Sequence, residues 1–163
     1  MLTLKRSQLD FTPRILYLDL DLHFSDAVSQ AFSTHANSQR LPSVLTLSIH
    51  HSSPGFYPSI PAASLTPSTT ENPYNLAIPL RRGASNYTYA RLWQIIQGIK
   101  DAWCPHFVVV QCGADGLAGD PCGIFNWGID VRDEGSLGWY ISQIMTWECG
   151  TILLGGGKLN FID

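Results

Sequence analysis

The sequence predicts an α/β domain built on a mostly parallel open sheet flanked by helices. Near-continuous apolar runs at 14–22 (RILYLDLDL) and 107–112 (FVVVQC) read as strands buried on both faces, the habit of parallel sheets. Such runs alternate with helical patterns, as crossover connections require. The chain's 163 residues and 45% hydrophobic content suit one domain rather than two.

Pro13 closes the opening segment, and the first strand covers 14–22. A short helix is expected over 25–32, capped by Ser25 or Asp26. A polar loop over 33–42 leads to a second strand, 43–50 (SVLTLSIH), in which Leu45, Leu47 and Ile49 alternate with polar residues. Residues 52–73 hold five of the ten prolines and many Ser and Thr, so they read as one long surface loop within the domain. A short strand follows at 74–80. The strongest helix, 89–103, places Leu92, Ile95, Ile96, Ile99 and Trp103 at helical spacing, with Pro105 beyond its end. The strand 107–112 comes next, then a glycine-rich stretch, a helix at 136–147 and a last strand at 151–154 that runs into Gly155, Gly156 and Gly157.

Composition removes several function classes. A net charge of −3 and a pI near 5.9 give no basic footprint for direct contact with nucleic-acid phosphates. No run approaches the ~20 apolar residues of a membrane span. The first residues, MLTLKRSQLD, interrupt their apolar run with charge, so a secretory signal is not expected. Cys104, Cys112, Cys122 and Cys149 show no C-x-x-C spacing, and four free, buried thiols in a reducing compartment are expected. Location in the nucleus or cytoplasm follows, rather than secretion. Charged residues make up 14% of the chain, against about 25% in an average domain, which fits a face that something else covers.

The chemistry concentrates in Asp19-Leu20-Asp21-Leu22-His23. Alternation of side chains along the strand puts Asp19, Asp21 and His23 on one face at its C-terminal end. Two carboxylates so close in an apolar strand repel one another, and burying them unpaired costs several kcal/mol. A bound cation removes both problems, and Asp oxygens with His nitrogen suit zinc. The other reading is that the carboxylates cap nearby loops or pair with Arg14 or Arg40. Asp115, in QCGADG just beyond the strand 107–112, is a natural third ligand, with glycines on both sides for close backbone approach. Alone it would read as a turn aspartate capping the next segment. The glycine run at 155–157 is a weaker hint of a close backbone approach.

Together these residues resemble the classical zinc-dependent histone deacetylases, particularly the class I-like branch. The resembling segments are RILYLDLDLHFSDAV, LTLSIHHSSPGFYPS, VVVQCGADGLAGDPCGIFN and LLGGGKLN, in matched order and spacing over most of residues 14–160. The resemblance implies the arginase/deacetylase fold, with residues 1–163 forming a partial catalytic domain that lacks its N-terminal part. It implies zinc-dependent hydrolysis of the acetyl-lysine amide in histones or other proteins, with zinc held by Asp21, His23 and Asp115. It implies a structural K+ ion at the side chains of Asp19, Asp21 and Ser48 and the backbone oxygens of His23 and Ile49. A second monovalent site would involve Phe32 and Tyr74. Tyr57 and Cys122 match substrate-tunnel walls. The expected partners are an acetylated protein or histone tail, with corepressor subunits besides, in a role in chromatin regulation and transcription repression.

The departures bear on activity. The family's tandem His pair, which does the general acid–base work, lies upstream of the metal strand, and no such pair precedes Asp19. His50-His51 matches the following strand instead. Asp19 and Asp26 would orient the missing histidines. Leu159 stands where the family carries the oxyanion-stabilising Tyr, and a lost donor of that kind costs about 100- to 1,000-fold in rate. This chain alone is therefore expected to be inactive. The alternative is a catalytically dead, deacetylase-like module for metal binding or protein interaction.

Overall fold

The computed structural model describes residues 12–33, 42–64 and 72–156. Leu159 and Arg40 lie outside the described residues. Five parallel strands form one sheet in the order β3-β2-β1-β4-β5: β1 Arg14–Asp19, β2 Ser43–His51, β3 Asn75–Leu80, β4 Phe107–Gly113 and β5 Gly150–Gly156. Helix α1 (Asp26–Ser33) links β1 to β2, α2 (Asn86–Trp103) links β3 to β4, and α3 (Leu137–Ile144) links β4 to β5. The β2–β3 connection carries a 3-10 turn at Pro61–Ala63, within the region read as a surface loop.

The apolar runs behave as a doubly covered sheet demands. Leu16, Leu18, Leu45, Leu47, Ile49, Val108 and Val110 are buried along the three central strands. α2 adds Tyr89 and Ile96, and α3 adds Leu137, Tyr140 and Ile144. Between sheet and helices lies an aromatic wedge in which Tyr89 stacks on Trp127 at 3.9 Å. α2 starts three residues before its apolar periodicity does. Ser85 is its N-cap, and the Ser85 N–H donates to Thr88 Oγ1 at 3.3 Å.

The two sheet edges differ. β3 is half-buried throughout, whereas Ile152, Leu153 and Leu154 of β5 are 36%, 44% and 40% exposed. Consecutive residues of a strand face opposite ways, so β5 exposes side chains on both faces, and among the described residues it pairs with β4 alone. All four cysteines are free. Cys112 and Cys149 are half-buried, but Cys104 and Cys122 are exposed, so the expectation of four buried thiols fails for those two, which lie at a helix end and in a turn.

One expectation about β1 also fails, with consequences for the site. The strand ends at Asp19, not at residue 22. Leu20 N–H still reaches the Gln111 carbonyl at 2.9 Å and the Leu22 carbonyl accepts from His51 N–H at 2.8 Å, but carboxylates take up the N–H groups of Asp21, Leu22 and His23. Asp19 Oδ1 accepts from Asp21 N–H at 2.9 Å, and Asp21 Oδ1 accepts from His23 N–H at 2.8 Å. Carboxylates that offer their own backbone such partners bend the chain out of extended pairing.

Candidate metal centre

The chain runs from β1 outward to β3 at one edge, then returns to place β4 on the other side of β1. The crevice beyond the carboxyl ends of β1 and β4 is therefore the switch point of the sheet, where open α/β sheets bind ligands. Asp21 and His23 follow β1, and Asp115 follows β4.

These three side chains converge. Their ligand atoms all lie within 4.8 Å of one another, and each residue is half-buried. His23 Nδ1 faces Asp115 Oδ2 at 2.9 Å and Asp21 Oδ1 at 3.2 Å. One ring nitrogen carries at most one proton, so it cannot satisfy two carboxylates as a divalent cation could. The second oxygen of Asp115, Oδ1, accepts from Leu22 N–H at 3.0 Å and locks the β4 loop to the bend after β1. In Asp115 one oxygen thus holds backbone while the other faces the cluster; in Asp21 the single oxygen Oδ1 does both. Arg14 takes no part, because its Nε donates to the Cys104 carbonyl at 3.0 Å.

Gly113 makes the convergence sterically possible. A Cβ there would sit 2.5 Å from Asp21 Oδ2 and 2.6 Å from Asp21 Cα. Any side chain would push the two strand ends apart.

The electrostatics fit a cation. Burial raises Asp21 above the ordinary carboxylate range; the bond from His23 N–H opposes this and the Asp115 charge adds to it. Burial pushes the Asp19 carboxyl up to about 7. Asp19 does not join the three ligands, since the chain bends after it. It is the register partner of Ser48 on β2, and both are buried. Ile49 is buried next to Ser48, so Asp19, Ser48 and Ile49 of the expected monovalent site lie on adjacent strands, while its Asp21 and His23 follow the end of β1. Of the residues expected at a second such site, Phe32 lies half-buried near the end of α1 and Tyr74 precedes β3. Those segments are tied where Asn75 Nδ2 donates to the Ser29 carbonyl at 3.1 Å, while the Tyr74 carbonyl accepts from Thr46 N–H at 2.8 Å. Asp26 opens α1, where its Oδ1 accepts from Ala27 N–H at 2.7 Å.

The rim of the site is aromatic. Phe56 lies flat on His23, with ring centroids 5.0 Å apart and 16° between planes. Tyr57 is 70% exposed, with its ring 6.5 Å from His23 and tilted by 55°. Both rings occur in S-P-G-F-Y-P, but the sequence does not say which one turns inward, and Phe56 went unnoticed there. Cys122 is exposed in the Asp120-Pro121-Cys122 turn, where its N–H donates to Asp120 Oδ1 at 2.8 Å.

The family profile described as histone deacetylase domain matches residues 2–158. The chain belongs to the histone deacetylase family. It is 34% identical to histone deacetylase 8 of Xenopus laevis over 145 residues, which cover 88% of this chain and 41% of that relative. Histone deacetylase 8 of Danio rerio is 34% identical over 151 residues, 92% of this chain and 37% of the relative. This deacetylase-family chain thus spans about two fifths of the length of the curated relatives it matches. Its parallel sheet with flanking helices is the α/β architecture expected of a partial deacetylase domain.

Proposed function

We propose that the Asp21–His23–Asp115 cluster is a zinc site, and that the protein to which this chain's fold belongs hydrolyses the acetyl-lysine amide of histones or other proteins. The observation that carries the proposal is the convergence of one imidazole nitrogen and two carboxylates at the sheet's switch point. That donor set suits zinc and leaves room for a fourth, non-protein ligand. When bound, zinc would polarise the acetyl carbonyl and acidify a water molecule.

The chain's own residues do the rest. Asp21 and Asp115 supply the negative charge that retains the cation, while His23 supplies its nitrogen. Phe56, flat on His23, and Tyr57 at the mouth offer an aromatic wall for the methylenes of a lysine side chain. The buried pair Asp19 and Ser48 would hold a K+ ion with Asp21 and the carbonyls of His23 and Ile49, and Phe32 and Tyr74 would flank a second. Acetylated histone tails are basic peptides and match the chain's net charge of −3. Nuclear or cytoplasmic location, corepressor partners and a role in transcription repression belong to the same proposal.

Residues 1–163 contain five histidines, and none forms a tandem pair ahead of Asp19. With Leu159 in place of a hydroxyl donor, we propose that this chain alone binds acetyl-lysine peptides without turning them over at a useful rate. Fluorescence polarisation with a labelled acetyl-lysine peptide and its unmodified twin tests the reading. The zinc-loaded chain should prefer the acetylated peptide, and Phe56→Ala should abolish the preference. Equal affinity for both peptides would overturn it.

A further inference from the structure

The last two residues of β2, His50 and His51, are buried, and neither belongs to the metal cluster. We infer that they are positioning residues: a two-point clamp that fixes the 52–64 loop over the metal centre and lays Phe56 on His23.

His51 has one partner that can only accept, the Leu80 carbonyl, which settles its tautomer; His50 faces two carbonyls, and the closer one, Ala63, lies at Nε2. His50 Nε2 donates to the Ala63 carbonyl at 2.9 Å, while Nδ1 lies 3.1 Å from Ser48 Oγ, from which it can then accept, and 3.3 Å from the Ser48 carbonyl. His51 is the mirror case: Nδ1 donates to the Leu80 carbonyl at 2.9 Å, and Nε2 accepts from Ser53 Oγ at 2.9 Å. Adjacent strand residues face opposite ways, so the two rings grip the loop on opposite sides of the sheet. His50 holds its far end at Ala63, and His51 holds its near end at Ser53.

His51 also shapes the aromatic rim. Its ring meets Phe56 edge-on at 4.6 Å and 75°, and meets Phe125 at 5.9 Å and 89°. Phe56 is thus caught between two histidines, edge to one and face to the other. An open pocket of about 470 Å³ lies under the loop, lined by His51, Ser53, Phe56, Pro58, Ile60 and Ala63. Without the clamp, the loop loses its side-chain ties to the end of β2, and Phe56 loses its edge contact with His51. The consequence for acetyl-lysine binding rests on the function proposed above, but the clamp does not.

The test is the imidazole carbon-bound proton spectrum of the metal-free full chain, with His23 assigned. A stacked phenyl ring moves the His23 protons upfield, and Phe56→Leu sets the size of that displacement. His51→Ala should reproduce it, and adding His51→Ala to Phe56→Leu should change nothing further. His51→Gln, which can both donate to Leu80 and accept from Ser53, should restore most of the upfield position. Should His51→Ala fail to fold, Ser53→Ala removes one pin alone and should move the same protons partway. The inference is overturned if Phe56→Leu leaves the His23 protons in place. It is equally overturned if Phe56→Leu moves them while His51→Ala, or Ser53→Ala in its stead, does not. Because no metal is added, a failed zinc titration would sink the zinc proposal without touching this one.

Discussion

Two neighbouring parallel strands, β1 and β2, end in polar residues at the same edge of the sheet, and the two ends are built on opposite logic. At the end of β2, both ring nitrogens of His50 and of His51 find neutral partners, hydroxyls or carbonyls. At the end of β1, three buried or half-buried carboxylates and one imidazole share too few protons. His23 Nδ1 faces two carboxylates at once, and burial raises both Asp19 and Asp21. The difference separates a structural polar cluster from a ligand site. Histidine content does not mark the metal end; an excess of converging acceptors does.

The comparison breaks most visibly at the ligands. Asp21→Asn or His23→Ala should lower zinc affinity by more than about 100-fold, beyond the range typical of residues that merely support a ligand. Gly113→Ala keeps all three ligands but forces a Cβ into Asp21, and should cost about 10- to 100-fold. Competition with a chromophoric chelator reads both. At the other strand end the order reverses. His50→Leu strands the Ala63 carbonyl and the Ser48 hydroxyl, and should cost about 2–4 kcal/mol in urea unfolding. Its zinc affinity should stay near wild type.

A smaller test applies the same distinction to two tyrosines of the aromatic wedge. Tyr140 Oη donates to the Tyr89 carbonyl at 2.6 Å, whereas the buried Tyr89 hydroxyl has no partner among the described residues. Tyr140→Phe should cost about 1 kcal/mol, and Tyr89→Phe should be neutral or slightly stabilising. Burial raises both phenols above their ordinary range, with the Tyr140 charge adding at Tyr89. A raised folded value means that the unfolded chain loses its protons first. Stability should be intact below about pH 10 and fall as pH rises beyond it. Alkaline unfolding followed by circular dichroism checks the sign.

Much of this was legible in the sequence because local patterns dictate it. Apolar runs such as FVVVQC specified central strands, and alternation with helices specified parallel pairing. D-x-D-x-H and the G-A-D-G turn named the three residues that the fold brings together. The route was different, however: alternation assumes a strand through His23, but Asp19 and Asp21 bend the chain by bonding their own backbone. Alternation alone therefore grouped Asp19 with Asp21 and His23, whereas the resemblance set it beside Ser48, its register partner across strands in the structure. Phe56 was illegible beside Tyr57, because which ring turns inward depends on contacts with His51 and His23 far from any local pattern. The low charge content has a structural counterpart in β5, whose Ile152, Leu153 and Leu154 lie open.

The central claim is that the end of β1 holds a metal and the end of β2 does not. Isothermal titration of Zn2+ into the chelator-treated chain tests it most directly, run on wild type, Asp21→Asn and His51→Gln. The account predicts one zinc per chain, bound by wild type and His51→Gln and lost in Asp21→Asn. Binding that survives Asp21→Asn, or no binding by a folded wild-type chain, would contradict it.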